Sequence, residues 1–301
     1  MITSSRSARI RARARRGFTL VEMLLTMAIL GIVGTALVKL ILVQARFSGD
    51  QMALRSARTV SRNAMNIMLT DLRMVQDKGG LKAASRDSVT VRIPVGFGLV
   101  CSTSGGTSIS LVPVDSAMSA MAQYAGFAVR DSATGEYSYR DAGVPMPVSS
   151  LTTGLSTICT GAGIASITYN GRTSRVVTLL DSPGGPANVG WPAFIYQEVT
   201  YKFGSSSAFP GRLGLWRVVK TANPSAPVTD EIIAPFDTSA RFRFYALNAD
   251  VAQDTLPTDI NNVRGLELVL AGSANEALTA EAQKKQATMV TGVFFKNRRD
   301  P

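Results

Sequence analysis

The run FTLVEMLLTMAILGIVGTALVKLILV, Phe18 to Val43, constrains this chain more than any other stretch, because its 26 residues carry only two charges. Wound as a helix it spans roughly 39 Å at about 1.5 Å per residue, enough to cross a hydrocarbon core of about 30 Å. Lys39 can carry its ammonium to the outer interface along its alkyl stem. Glu22 has no such exit, and an ionised group costs about 2.5–3.5 kcal/mol at the centre of an inserted helix, less near its end. The uncharged stretch between the two is 16 residues, slightly short for a plain anchor.

The segment ahead of the run is as informative. Arg6, Arg9, Arg11, Arg13, Arg15 and Arg16 lie in the first 17 positions, with no acid among them. A basic flank stays cytoplasmic and the chain beyond the apolar run is sent outward. The residues admit an ordinary signal peptide, with Val43-Gln44-Ala45 as its small-residue cleavage site, or a twin-arginine version beginning at Arg15-Arg16-Gly17-Phe18. In that reading the mature protein is a Sec- or twin-arginine-exported periplasmic enzyme or binding protein cleaved after Ala45. A simple membrane anchor is the third possibility. All three leave Glu22 without a purpose, and 26 residues is long for the apolar part of a signal peptide, about 7 to 15 residues.

Gly17-Phe18-Thr19-Leu20-Val21-Glu22 resembles the processing site of type IV prepilins and type II secretion pseudopilins, the class III signal. The basic leader, the glycine, the phenylalanine, the glutamate and the apolar helix occur in register. The resemblance implies a cut between Gly17 and Phe18 by a membrane-embedded prepilin peptidase on the cytoplasmic side, then N-methylation of Phe18. It also implies assembly with other pilin or pseudopilin subunits through a platform in the inner membrane. Cleavage gives Glu22 a partner, since the new amine at Phe18 of one subunit can meet the Glu22 carboxylate of its neighbour and fix their register. A carboxylate in the first helical turn also suits the helix dipole.

Beyond the run, Leu54, Ala57, Val60, Ala64, Met68, Leu72 and Val75 recur every three or four residues, the signature of an amphipathic helix. Arg55, Arg58 and Arg62 share a different face, which reads either as a contact for acidic partners or lipid headgroups or as a solvated surface. Gly79-Gly80 predicts the helix end. The expected organisation is therefore a cleaved leader over 1–17, one long helix over 18–77 that is membrane-embedded to about residue 43, and a head over 78–301. The absence of proline before Pro94 departs from many major pilins and points to a minor subunit.

After residue 80 the pattern changes to short β-rich runs. SVTVRIPV (Ser88 to Val95), SISLVPV (Ser108 to Val114), AGFAVR (Ala125 to Arg130), FIYQEVTYKF (Phe194 to Phe203) and LGLWRVV (Leu213 to Val219) predict strands. Asn170-Gly171 predicts a hairpin, and Gly96 to Cys101, GFGLVC, a turn. No helical pattern alternates with these runs, so the expected fold is α+β, a long hydrophobic N-terminal helix followed by a β-rich, mostly antiparallel head. This is the pilin lollipop that the resemblance implies. VTYKF and GLWRVV, then RFRFYAL, INNVRGLELVLAG and VFFKNRR, are similar in order to strands of large minor pilins of the W type and minor pseudopilins of the J type.

Composition removes several function classes. The net charge of +11 falls to +5 without the six leader arginines, an ordinary surface, so nucleic acid is not expected as a partner. There is no histidine, hence no histidine-based triad or general base, and no cofactor fingerprint. Two cysteines, Cys101 and Cys159, cannot complete a zinc site and read as a disulfide if the head is exported, or as two buried thiols. Asn248, Asp250, Asp254 and Asp259 supply oxygen ligands in a loop, and calcium occurs in some pseudopilin heads, but their spacing matches no defined calcium loop. Trp191, Trp216, Phe242, Phe244 and Tyr245 are expected in the core. The predicted protein is a non-enzymatic, single-pass inner-membrane protein, in contact with membrane lipid before assembly. Its N-terminus is cytoplasmic and its head periplasmic or extracellular.

Overall fold

The structure, a computed structural model, describes residues 19–103, 107–113, 115, 119, 121–151, 159, 168–169, 172–173, 175–179, 187–221, 226–274 and 286–295. Its first element is the helix α1, Leu20–Leu72, which runs through Gly31 and Gly34 without a break. The chain divides into two compact units, one ending at Gln51 and the other beginning at Met52.

In the first unit the apolar side chains of α1 are exposed, from Leu20 and Val21 to Val43 and Phe47. Among the described residues α1 is the one helix long and apolar enough to cross a membrane, and none of its most apolar window is buried. Its hydroxyls are satisfied within the helix: Thr26 Oγ1 donates to the Met23 carbonyl and Thr35 Oγ1 to that of Ile32, each at 2.9 Å. That internal satisfaction is what a lipid environment demands.

The second unit holds the rest of α1 and the sheet. Its strands are β1 (Leu81–Ala84), β2 (Ser88–Ser102), β3 (Thr107–Leu111), β4 (Gln123–Arg130), β5 (Tyr137–Pro147), β6 (Thr168–Tyr169), β7 (Arg172–Thr173), β8 (Arg175–Leu179), β9 (Pro192–Ser205), β10 (Leu213–Val219), β11 (Val228–Phe236), β12 (Arg241–Ala246), β13 (Val263–Ser273) and β14 (Gln286–Phe294). The large sheet runs β12-β13-β11-β10-β9-β2-β3-β8, with β14 added to β13, β1 to β2, and the β4-β5 pair to β9. Every pairing is antiparallel. A helix followed by an antiparallel, β-rich head is thus the observed α+β architecture. β6 and β7 pair with Tyr169 opposite Arg172, while Asn170 and Gly171, where the hairpin turn is expected, lie outside the described residues.

The predicted apolar face of α1 is the buried one: Ala57 is buried, and Val60, Ala64, Met68 and Leu72, continued by Val75, join a core with Val89, Val91, Tyr201, Leu215, Phe242 and Leu268. Leu54, at the start of the face, is half-buried. Phe242 and Phe244 are buried as expected, whereas Tyr245, Trp191 and Trp216 are half-buried. Ser61 interrupts the apolar face. Its hydroxyl donates to the Leu270 carbonyl at 3.0 Å, lies 3.2 Å from that of Ala287, and accepts the Gly272 N–H at 3.0 Å. Gly272 is required by the close approach, since a Cβ there would stand 2.2 Å from the Ala57 carbonyl oxygen.

Two boundaries differ from the sequence expectation. The helix ends at Leu72 rather than near residue 77. Asp71 is held by the Tyr201 hydroxyl and lies 3.6 Å from Arg217, while Met74 and Val75 donate to carbonyls three residues back and tighten the chain into a turn. The turn then passes through Lys78 and Gly79, both at positive φ. Gly96 to Cys101 is not a turn but the second half of β2. A register shift against β9 between Pro94 and Gly96 lets the strand bend and continue, and Gly98 packs where a Cβ would be 2.2 Å from the Ser110 carbonyl oxygen.

Candidate functional site: the helix start

Glu22 sits in the first turn of α1, exposed, where the dipole favours a carboxylate. Its N–H donates to the Thr19 carbonyl at 3.1 Å and lies 3.3 Å from Thr19 Oγ1, and the Met23 N–H reaches the same carbonyl at 3.2 Å. Thr19 therefore caps the helix, and Thr19-Leu20-Val21-Glu22 has the residues of a capping box. Thr19 joins Glu22 as a residue of the site, and a threonine three residues before a glutamate and ahead of an apolar run is itself a helix-start signal in the sequence. The cap leaves the Glu22 carboxylate without a partner among the described residues. Gly17 and Phe18, the expected cut and methylation positions, lie outside those residues.

Ala45, after which a signal peptidase would cut in the competing reading, lies within α1. Proteolytic cuts favour exposed loop tips, so a cut there first requires this helix to open.

The remaining candidates belong to the second unit. Cys101 and Cys159 form a disulfide, their Cα atoms 5.0 Å apart, buried beside Val176. The proposed calcium carboxylates are dispersed onto other partners. Asp254 accepts Arg241 Nε at 2.8 Å, Asp250 lies 3.3 Å from Arg264 Nη2, and Asp259 accepts the Asn261 N–H at 2.9 Å. Arginines and a backbone N–H thus engage one oxygen of each carboxylate. Asn248 has no described part in a site. Among the described residues no three histidine, cysteine or acidic side chains are grouped to hold a metal ion.

The most developed polar cluster of the head braces strands. Asp141 on β5 accepts Arg92 Nε and Nη2 at 3.1 and 3.0 Å and the Tyr196 hydroxyl at 2.6 Å, with Lys82 at 3.1 Å. Burial opposes ionisation, but the bonds from Arg92 and Tyr196 prevail and hold the carboxyl well below the usual range. Arg92 also stacks 5.0 Å from the Tyr139 ring centroid. Arg92 lies on β2 and Tyr196 on β9, so the cluster ties β5 to the sheet centre.

A family model for the prokaryotic N-terminal methylation motif matches residues 12–38, which contain Gly17, Phe18, Thr19 and Glu22. No curated protein and no solved structure matches the chain.

Proposed function

We propose that this chain, which carries the class III signal of the type IV pilin family and is a pilin- or pseudopilin-like precursor, serves as a minor subunit of a pilus or secretion pseudopilus. The observation that carries the proposal is the methylation motif at residues 12–38, in register with a helix that opens at Thr19 and presents Glu22 in its first turn.

Prepilin peptidase cuts after Gly17, and the freed amine of Phe18 is methylated and stays basic. The apolar half of α1 anchors the precursor in the inner membrane with its head outside. On extraction, exposed residues such as Leu24, Leu30 and Ile41 bury themselves against neighbouring stems, exchanging lipid for protein contacts. Glu22 meets the Phe18 amine of the next subunit and sets the register, because an unpaired carboxylate in that apolar surround is costly. The head takes no catalytic part and occupies the filament tip or primes assembly, as the family's minor subunits imply. Gly17→Ala in cells carrying the peptidase tests the processing step. The uncut precursor should accumulate, whereas normal processing of the variant removes the site.

A further inference from the structure

Arg55, Arg58 and Arg62 are exposed on α1, between about a third and a half of a turn around from Ala64 on the buried face. Five other arginines of the second unit have carboxylates, Arg92 with Asp141, Arg217 with Asp71, Arg241 and Arg243 with Asp254, and Arg264 with Asp250, while Arg73, Arg86, Arg130, Arg140, Arg175 and Arg212 have no ion pair among the described residues. The three helix arginines have none among the described residues. The sequence withholds even local partners. The positions three and four residues from each hold Gln51, Met52, Leu54, Thr59, Ser61, Met65 and Asn66, or another of the three arginines, and no acid. Arg58 and Arg62 are an i,i+4 pair of like charge and Arg55 and Arg58 an i,i+3 pair, arrangements that weaken a helix. A solvated face selected for stability would alternate signs at these spacings. This one retains repulsion, and such a local conflict marks a surface that works with something outside the chain.

We infer that the Arg55-Arg58-Arg62 face docks a carboxylate-bearing surface of a different subunit in the same assembly. A second copy fits poorly as occupant, since α1 holds no acid between Asp50 and Asp71 and the same stretch of a neighbouring copy offers the stripe no carboxylate. The stripe selects a non-identical neighbour and discourages homopolymers, the behaviour of a subunit used sparingly. The inference rests on the assembly reading above.

The test places a photo-reactive phenylalanine analogue at exposed Thr59 of the full chain in producing cells and identifies the cross-linked peptide by mass spectrometry. The expected product joins Thr59 to another class III signal protein at a peptide holding at least two carboxylates. Its yield should fall about tenfold in Arg55→Gln/Arg58→Gln/Arg62→Gln, three exposed ion pairs being worth roughly a factor of two each or more. Glutamine removes the like-charge repulsion, so the variant keeps the helix, and circular dichroism of the purified chain checks this. A cross-link to a second copy, to lipid alone or to nothing overturns the inference, as does a yield unchanged in the triple variant. N-terminal sequencing of the same sample separates the two claims. A chain cut before Phe18 that yields any of those outcomes retains the function and loses the docking face, and an uncut chain loses the function itself.

Discussion

Ser61→Ala is expected to destabilise the second unit out of proportion to the single oxygen it removes. Ser61 is fully buried on the face of α1 that meets β13 and β14. Its hydroxyl is acceptor for the Gly272 N–H and donor toward Leu270 and Ala287. Alanine leaves the N–H in an apolar surround, a cost of about 1–3 kcal/mol, and forfeits a net donor bond of about 0.5–1.5 kcal/mol. The expected loss is about 2–3 kcal/mol, read as a lower denaturation midpoint by the fluorescence of Trp191 and Trp216 in the detergent-solubilised chain. Gly272→Ala should cost about 1–3 kcal/mol by overpacking, because its Cβ would stand 2.2 Å from the Ala57 carbonyl oxygen and 2.5 Å from Ser61 Oγ. Combining the two relieves only the second clash, so the double variant should remain less stable than Ser61→Ala alone. Thr59→Ala, whose hydroxyl reaches only the Arg55 carbonyl of its own helix, is the control and should change little. A Ser61→Ala loss under about 0.5 kcal/mol, the scale of an ordinary surface substitution, would refute this account of how the helix is seated.

Other perturbations probe separate links. Reducing the Cys101–Cys159 bond, which closes a separation of 58 residues, should lower stability by up to roughly 4 kcal/mol, seen as a reductant-dependent shift of the thermal midpoint. Tyr139, Tyr196 and Tyr201 all have raised pKa values, burial being the largest cause in each, with Asp141 beside Tyr196 and Asp71 beside Tyr201 adding to it. Their neutral forms are favoured in the folded state, so the stability they supply is intact below the unfolded value of about 10 and drains away above it. Urea midpoints should fall above that pH, and Tyr201→Phe should soften the fall. Asp141 runs the other way, its lowered pKa supplying stability above about pH 4 that is lost on acidification, so Asp141→Asn should flatten the acid limb. Glu22→Gln should leave cleavage intact while the processed subunit drops out of the assembly, assayed by its share in sheared filaments. Unchanged incorporation would remove the register role.

What the sequence made legible follows from how far each interaction reaches. The methylation signal and the buried face of α1 are local and periodic, so Glu22 and Ala57 to Leu72 could be read directly. Strands such as β9 and β10, rich in aromatic and β-branched residues, were equally visible. β5 and β11 were not, because Tyr137–Pro147 carries Arg140, Asp141 and two prolines, and Val228–Phe236 carries Asp230 and Glu231. The path of β2 through Gly96 and Gly98 was hidden because glycine marks a turn and a close strand approach alike. Ser61 could not be identified, its partners lying 209 or more residues away. Asp250 and Asp254 suggested a cation only as carboxylates sharing one loop, their spacing matching no defined calcium site, and only the fold brings Arg264 and Arg241 to them.

The central claim is that the mature chain begins with a charged group four residues ahead of Glu22. Intact-mass and N-terminal sequence measurement of the protein isolated from producing cells tests it most directly. The account predicts a chain that starts at an N-methylated Phe18, and an N-terminus at Arg46 or a retained Met1 would contradict it.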